Sequence, residues 1–341
     1  MKQQSNSIYN TLFKVVLSVA LAAGILYWMY RNFDFHSLRE VLLHQMDWTW
    51  MLLSLPFGIT AQLFRGLRWR QALWPLGQHP RRSTSINAVF LSYAVSLIIP
   101  RIGEFARCGV LSRYDNVSFT KALGTVVTER VIDSALVLLI TLATFLSQYR
   151  VFNRFFSQTG TNIDMLLHSF STAGWIVTGI CAVAAIILVI YLLKTLSAYD
   201  KIKRTLLGLW QGILSVKDVD NVPLFIVLTL GIWVSYFLHY YLTFFCFTST
   251  AHLGMACALV TFIVGSIAVI VPTPNGAGPW HFAVKTMLML YGVSSANALY
   301  FVLIVHSIQT MLVAVIGIYA WLALMFTKKI NPLNDNNNGR N

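Results

Sequence analysis

Apolar residues fill long stretches of this chain, and polar residues gather in the short segments between them. Six runs have the length of a membrane-crossing helix: about 8–30, 49–64, 121–149, 173–194, 223–247 and 297–326. At the helical rise, about 20 apolar residues cover the hydrocarbon thickness of a bilayer. Residues 35–48 have a different pattern. Ser37-Leu38-Arg39-Glu40 has the form of a capping box, and Leu38, Val41, Leu42 and Met46 recur on one helical face. This predicts an interfacial amphipathic helix, with Trp48 and Trp50 at the level of the headgroups. Two further apolar regions, about 84–115 and 254–293, are each interrupted. The first carries Pro100 and Gly103, the second Pro272, Pro274, Gly276 and Gly278. Proline stops a helix and glycine permits the turn that follows. The predicted fold is an all-α polytopic membrane protein with about six full spans and two re-entrant helical hairpins.

Charge decides the topology. Of the 341 residues only 11% are charged, yet the net charge is +13. Soluble domains carry about 25% charged residues, so a soluble globular class is excluded. The basic residues flank apolar runs, which is the positive-inside pattern and not a nucleic-acid footprint. If the interrupted regions crossed completely, Lys201, Lys203, Arg204 and Lys217 would fall outside. If they dip in and return, the basic segments Arg65–Arg82, Arg101–Lys121, Lys194–Lys217 and Lys328-Lys329 all face the cytoplasm, with Arg150 and Arg154 the main exceptions. Both termini are then cytoplasmic. Residues 1–327 form a single transmembrane domain and 328–341 a disordered cytoplasmic tail.

The two interrupted regions also form a pattern. SLIIPRIGEFARCGVL is followed by ALGTVVTERVIDSALVLL, and AVIVPTPNGAGPWHFAV by ALYFVLIVHSIQTMLVAV. With Ala122-Leu123 set against Ala298-Leu299, Glu129, Arg130 and Asp133 fall opposite Val305, His306 and Gln309. The repeat cores are about 84–149 and 254–326. Three full spans separate the starts of the two hairpins, so the hairpins enter from opposite faces and the repeat is inverted. Broken helices meeting near the midplane are a recurring transporter design.

The candidate chemistry is at membrane depth. Glu129 and Asp133 lie near the centre of their span, where each charge costs about 2.5–3.5 kcal/mol even on a lenient scale. They share a face, and Arg130 and Asp133 are spaced to pair. The group serves either as a structural ion pair pinning helices or as a gating network, which His306 and Gln309 extend in the second copy. The first break, PRIGEFAR, places Arg101, Glu104 and Arg107 together. A guanidinium at a hairpin tip matches phosphate or carboxylate. Its alternative role is to neutralise Glu129 or Asp133. Arg65 and Arg68 close the second span, either as snorkelling anchors or as binders of lipid phosphate. The second break carries no charge and offers backbone N–H groups, with His281 just after it.

Cys108, Cys181, Cys246 and Cys257 stand alone in apolar context, so free thiols are expected, without disulfide or metal. No P-loop, H-E-x-x-H or nucleophile elbow is present, so no catalytic residue and no cofactor is expected.

The Arg65–Arg70 run, PRIGEFARCGVLSR at Pro100–Arg113, TERVID at Thr128–Asp133 and PTPNGAG at Pro272–Gly278 together resemble the flippase-like family of integral membrane proteins. It is also called the lysylphosphatidylglycerol synthase transmembrane-region family. The resemblance covers essentially the whole chain. It implies a bacterial inner-membrane protein that moves or handles lipids. No aminoacyl-transfer domain follows residue 327, so lipid handling without enzymatic activity is expected. The function to test is that of a lipid translocase for an anionic lipid or lipid-linked headgroup. The alternative is a non-transporting lipid-binding partner of an envelope-biosynthesis enzyme. Candidate partners are anionic membrane lipids, such an enzyme, and a second copy of the chain.

Overall fold

Proline, glycine and a few polar caps set where the helices of this protein begin and end. The computed structural model describes residues 16, 19–31, 35–148, 207 and 218–330. The expected span 173–194, most of the loop Lys194–Lys217, Arg150, Arg154, Cys181 and the tail beyond 330 lie outside the described residues. Within them every regular element is helical, and the one strand-like pairing is an isolated antiparallel bridge between Met46 and Phe247.

Helix α1 covers Val19–Tyr30. Helix α2, Phe35–Glu40, runs into a π-turn at Val41–Gln45. Val41 and Met46 are buried, and Leu38 and Leu42 pack on the same apolar cluster. The amphipathic face expected of 35–48 therefore lies against protein. Asp47 caps helix α3, Trp48–Leu73, by accepting the Thr49 N–H at 2.9 Å. This helix continues well past the expected end at residue 64 because Arg65 and Arg68 find buried partners and need not reach for an interface. A turn at Trp74–Leu76 then ends on Gly77 at φ 67°.

Helix α4 (Arg82–Ile98) and helix α5 (Gly103–Asp115) form the first hairpin. A Cβ on Gly103 would stand 1.9 Å from the Ser92 carbonyl oxygen, so only glycine lets α5 turn back against α4 at that point. The open end is tied by Asp115, which accepts the Arg81 backbone N–H at 2.8 Å and Arg81 Nε at 2.7 Å. Helix α6, Phe119–Ser147, follows.

After the undescribed segment, helix α7 (Val222–Tyr241) starts on an Asn221 cap and continues as a 3-10 turn at Leu242–Cys246. Helix α8 (Gly254–Ala268) and helix α9 (Pro279–Leu290) form the second hairpin, with a short turn at Pro274–Gly276 between them. Gly265 of α8 lies against Trp280 of α9, where an added Cβ would meet the indole at 2.8 Å. Ser294 caps helix α10, Ser295–Met325.

The long helices hold the hairpins. Helix α3 lies along α7, α4 along α10, and α8 touches α6. Gly317 lets α10 approach Ala94 of α4, and Gly58 lets α3 approach His239 of α7. The largest apolar cluster gathers Tyr240, Phe244, Cys257, Leu288, Phe301 and Val305. The segments Val222–Cys246 and Ser295–Met325 are long and apolar enough to cross a membrane.

Candidate functional site

Three arginines and two carboxylates are buried together where α3, α5 and α6 meet. Helical spacing explains the meeting. Arg65 and Arg68 are three apart on α3, Glu104 and Arg107 three apart on α5, and Glu129 and Asp133 four apart on α6, so each pair shares a face. Asp133 accepts Arg65 Nη1 at 2.7 Å on one oxygen and Arg68 Nη2 at 2.9 Å on the other. Glu129 has Arg107 Nη2 at 2.8 Å and Arg68 Nε at 3.5 Å. All five side chains are nearly inaccessible. Burying an ion is costly unless it is paired and hydrogen-bonded, which explains why these charges come as a set.

The two carboxylates are held differently. Asp133 is hydrogen-bonded on both oxygens, whereas neither Glu129 oxygen has an aligned hydrogen bond among the described residues. Glu129 is held by proximity of charge. Beneath it, Arg107 stacks over the Trp69 ring at 4.6 Å, and the Trp69 N–H donates to Thr125 Oγ1 at 2.9 Å.

Arg130 does not pair with Asp133, its expected neighbour. Its Nε contacts Glu104 Oε1 at 2.6 Å, and this pair is half-exposed. Arg101 does not neutralise Glu129 or Asp133 either; Arg65, Arg68 and Arg107 do. Arg101 sits at the hairpin tip with φ 65° and its Nη2 donates to the Ile270 carbonyl at 2.7 Å, just before the second break. The two interrupted regions are thus in direct contact.

At the second break, His306 and Gln309 belong to separate contacts. His306 Nε2 lies 3.1 Å from the Asn275 carbonyl oxygen, which fixes Nε2 as the donor. Asn275 Nδ2 donates to Thr310 Oγ1 at 2.6 Å, and Thr310 Oγ1 lies 3.4 Å from His306 Nδ1. The three form a closed ring around Asn275, whose φ of 50° brings its carbonyl to the imidazole. The His281 and His306 ring centres are 4.4 Å apart. Gln309 Nε2 reaches the His239 carbonyl at 3.4 Å, and His239 Nδ1 lies 2.8 Å from the Ser54 carbonyl.

Contacts near the first interrupted region can be set beside those near the second. Glu104 and Arg130 pair in the first, and the residues 176 positions further on, Trp280 and His306, stack with ring centres 5.1 Å apart. Asp133 on α6 reaches Arg65 of α3, and Gln309 on α10 reaches the His239 carbonyl of α7, although Arg65 and His239 are 174 and not 176 positions apart. The first set of contacts is ionic and the second is neutral.

A cavity of about 900 Å³ opens beside the second break. Its walls come from α1, the end of α4, the Pro274–Gly276 turn, and α10. Asn275, His281, His306 and Thr310 line it, with Arg31 among the lining residues and itself exposed. Arg31, Asn275 and Thr310 are not among the site residues expected from the sequence. The spacing of His306 and Thr310, four apart on one helix face, carried a signal for the last of these. Arg31 had none, because an arginine ending an apolar run reads as a flank.

No curated protein and no solved structure matches the chain. The family described as Lysylphosphatidylglycerol synthase TM region matches residues 15–317, a range that contains both hairpins, the buried charges and the wall of the cavity. The chain belongs to the lysylphosphatidylglycerol synthase transmembrane-region family of membrane proteins.

Proposed function

We propose that this protein moves an anionic lipid or lipid-linked headgroup across the bacterial inner membrane, without enzymatic chemistry of its own. The observation that carries the reading is the contact of the two helix breaks through Arg101 and Ile270, beside a cavity large enough for a headgroup. Broken helices are tolerated at membrane depth only where protein or water surrounds them.

The hairpins are taken to be re-entrant and the repeat inverted. Arm lengths support this. Helix α4 has 17 residues and α9 has 12, so they extend about 25 and 18 Å. Helix α10 has 31 residues and extends about 46 Å. The hydrocarbon core is about 30 Å thick, so the arms are short of it and α10 exceeds it. The positional match of the Glu104–Arg130 and Trp280–His306 contacts supports a repeat. Basic segments around the first hairpin favour a cytoplasmic side for its base and for both termini.

In this proposal Arg65, Arg68 and Arg107 hold Glu129 and Asp133 and do not face the lipid. Arg101 is the headgroup-sensitive residue, because its guanidinium is exposed and engages a neutral carbonyl. The half-exposed Arg130–Glu104 pair would face the water-filled side of the site. Movement is tested in proteoliposomes containing phosphatidylglycerol, by measuring how much of it becomes accessible from the outer leaflet. Faster equilibration than in protein-free vesicles supports transport.

The second reading, a lipid-holding partner of an envelope-biosynthesis enzyme, draws on the tight pairing of Asp133 with Arg65 and Arg68, which favours a static α3–α6 contact. Retained lipid with unchanged sidedness would favour it.

A further inference from the structure

We propose that helix α1 is the movable wall of the cavity at the second break, and that it lifts to open the cavity sideways, between α1 and α10, to the hydrocarbon of the bilayer. This needs only the membrane setting of the family and does not depend on lipid movement. Two helices border the mouth. Tyr27 and Arg31 are four apart on α1, Ser307 and Met311 are four apart on α10, and all four line the cavity and are exposed. Ser307 and Met311 lie about 18 and 24 Å along α10, a helix of about 46 Å. The mouth is thus at mid-height of a helix long and apolar enough to cross a membrane.

The two sides of the mouth are held differently. Helix α10 is fixed: Gly317 seats on Ala94 of α4, Val302 and Val305 are fully buried, and the His306–Asn275–Thr310 ring ties it to the break. Helix α1 rests on the break through apolar and ring contacts. Gly278, at φ 89°, is its seat, where a Cβ would meet Ile25 Cβ at 3.0 Å and the Ala22 carbonyl oxygen at 3.3 Å. Beside the seat, the Trp28 ring lies 6.1 Å from that of Phe282, and the Tyr30 ring stands edge-on to His281 at 6.2 Å. A glycine offers no side chain to interlock with the facing helix, so α1 parts from this seat without a rotamer having to move. Within Val19–Tyr30 only Ala22 and Met29 are buried, and elements that move are drawn from those with few buried contacts. The polar ring closes within α10 and the break, and His281 Nδ1 accepts the Gly278 N–H at 3.4 Å at the start of α9, so both stand when α1 leaves.

The test reads access to the cavity in the full-length protein in phosphatidylcholine nanodiscs. Ala314→Cys, with the native cysteines replaced by serine, places a thiol on the lining. Its rate of reaction is measured with a bilayer-soluble maleimide and with a charged, water-soluble one. The bilayer-soluble reagent should react faster. Ile25→Trp overfills the seat on Gly278 and should raise that rate about tenfold, as for a tenfold rise in the open population. Trp28→His combined with Phe282→His should let zinc clamp α1 to α9 and lower the rate by a similar factor, with recovery on chelation. Each variant is compared once shown folded by size exclusion and helicity. An unchanged rate in Ile25→Trp, together with a zinc effect no larger in the paired variant than in Trp28→His alone, overturns the movable wall. Faster reaction with the water-soluble reagent overturns the sideways route. No lipid movement enters the readout, so failure of transport leaves this result standing on its own.

Discussion

Arg101 and Ile270 are 169 positions apart in sequence, yet the guanidinium of the first donates to the carbonyl of the second at 2.7 Å. The contact joins the tip of the first hairpin to the second break. It also holds Arg101 at φ 65°, a left-handed conformation that costs a residue with a long side chain and costs glycine nothing. Arg101→Ala is expected to lose about 1.5–3 kcal/mol, the range for a charged hydrogen bond. Arg101→Gly should lose about 1 kcal/mol less, because glycine relieves the backbone. Unfolding of the purified protein in detergent measures both. Equal stability of wild type and Arg101→Ala would show that the contact holds nothing.

Loss of Asp133 and loss of Gln309 should have unequal effects. Asp133→Ala leaves Arg65 and Arg68 buried without their shared partner, at a cost of about 3–5 kcal/mol. Gln309→Ala removes one neutral hydrogen bond of 3.4 Å and should cost under about 1 kcal/mol. The same unfolding measurement compares them, and a Gln309 cost equal to that of Asp133 contradicts the asymmetry.

Glycine positions separate close packing from mere helix. Gly103→Ala places a methyl group on the Ser92 carbonyl and should prevent the first hairpin from closing, seen as loss of monodisperse protein. Gly109→Ala is on the same helix with nothing within 4 Å, and should be neutral or stabilise by up to about 1 kcal/mol. Normal behaviour of Gly103→Ala would refute the arrangement of α4 and α5.

The ring at the second break predicts a tautomer. With Nε2 donating to Asn275 and Nδ1 accepting from Thr310, His306 should be neutral and protonated on Nε2. Nitrogen chemical shifts of labelled His306 report this directly, and Thr310→Val should shift the Nδ1 signal alone. A proton on Nδ1 in the wild type contradicts the ring.

Much of this was legible in the chain. Pro100, Gly103, Pro274 and Gly278 marked both hairpins, because backbone that cannot continue a helix announces itself locally. Glu129 and Asp133 marked the buried site, because charge in an apolar run needs partners. Which partners it finds is not a local property. Arg130 could meet Asp133 along its own helix, yet pairs with Glu104 on α5, since Arg65 and Arg68 already saturate Asp133. The end of α3 was misplaced for the same reason: an arginine with a buried carboxylate partner continues a helix that an unpaired one would end. The cavity was hidden because four separated segments make its wall.

The junction of the two breaks, with Arg101 at its tip, is proposed to serve lipid movement. The most direct measurement is the rate at which phosphatidylglycerol changes leaflet in proteoliposomes holding equal amounts of folded wild type and Arg101→Ala. The rate should fall by about tenfold or more, the equivalent of one lost charged hydrogen bond, with partial recovery in Arg101→Lys. An unchanged rate in the alanine variant would contradict it.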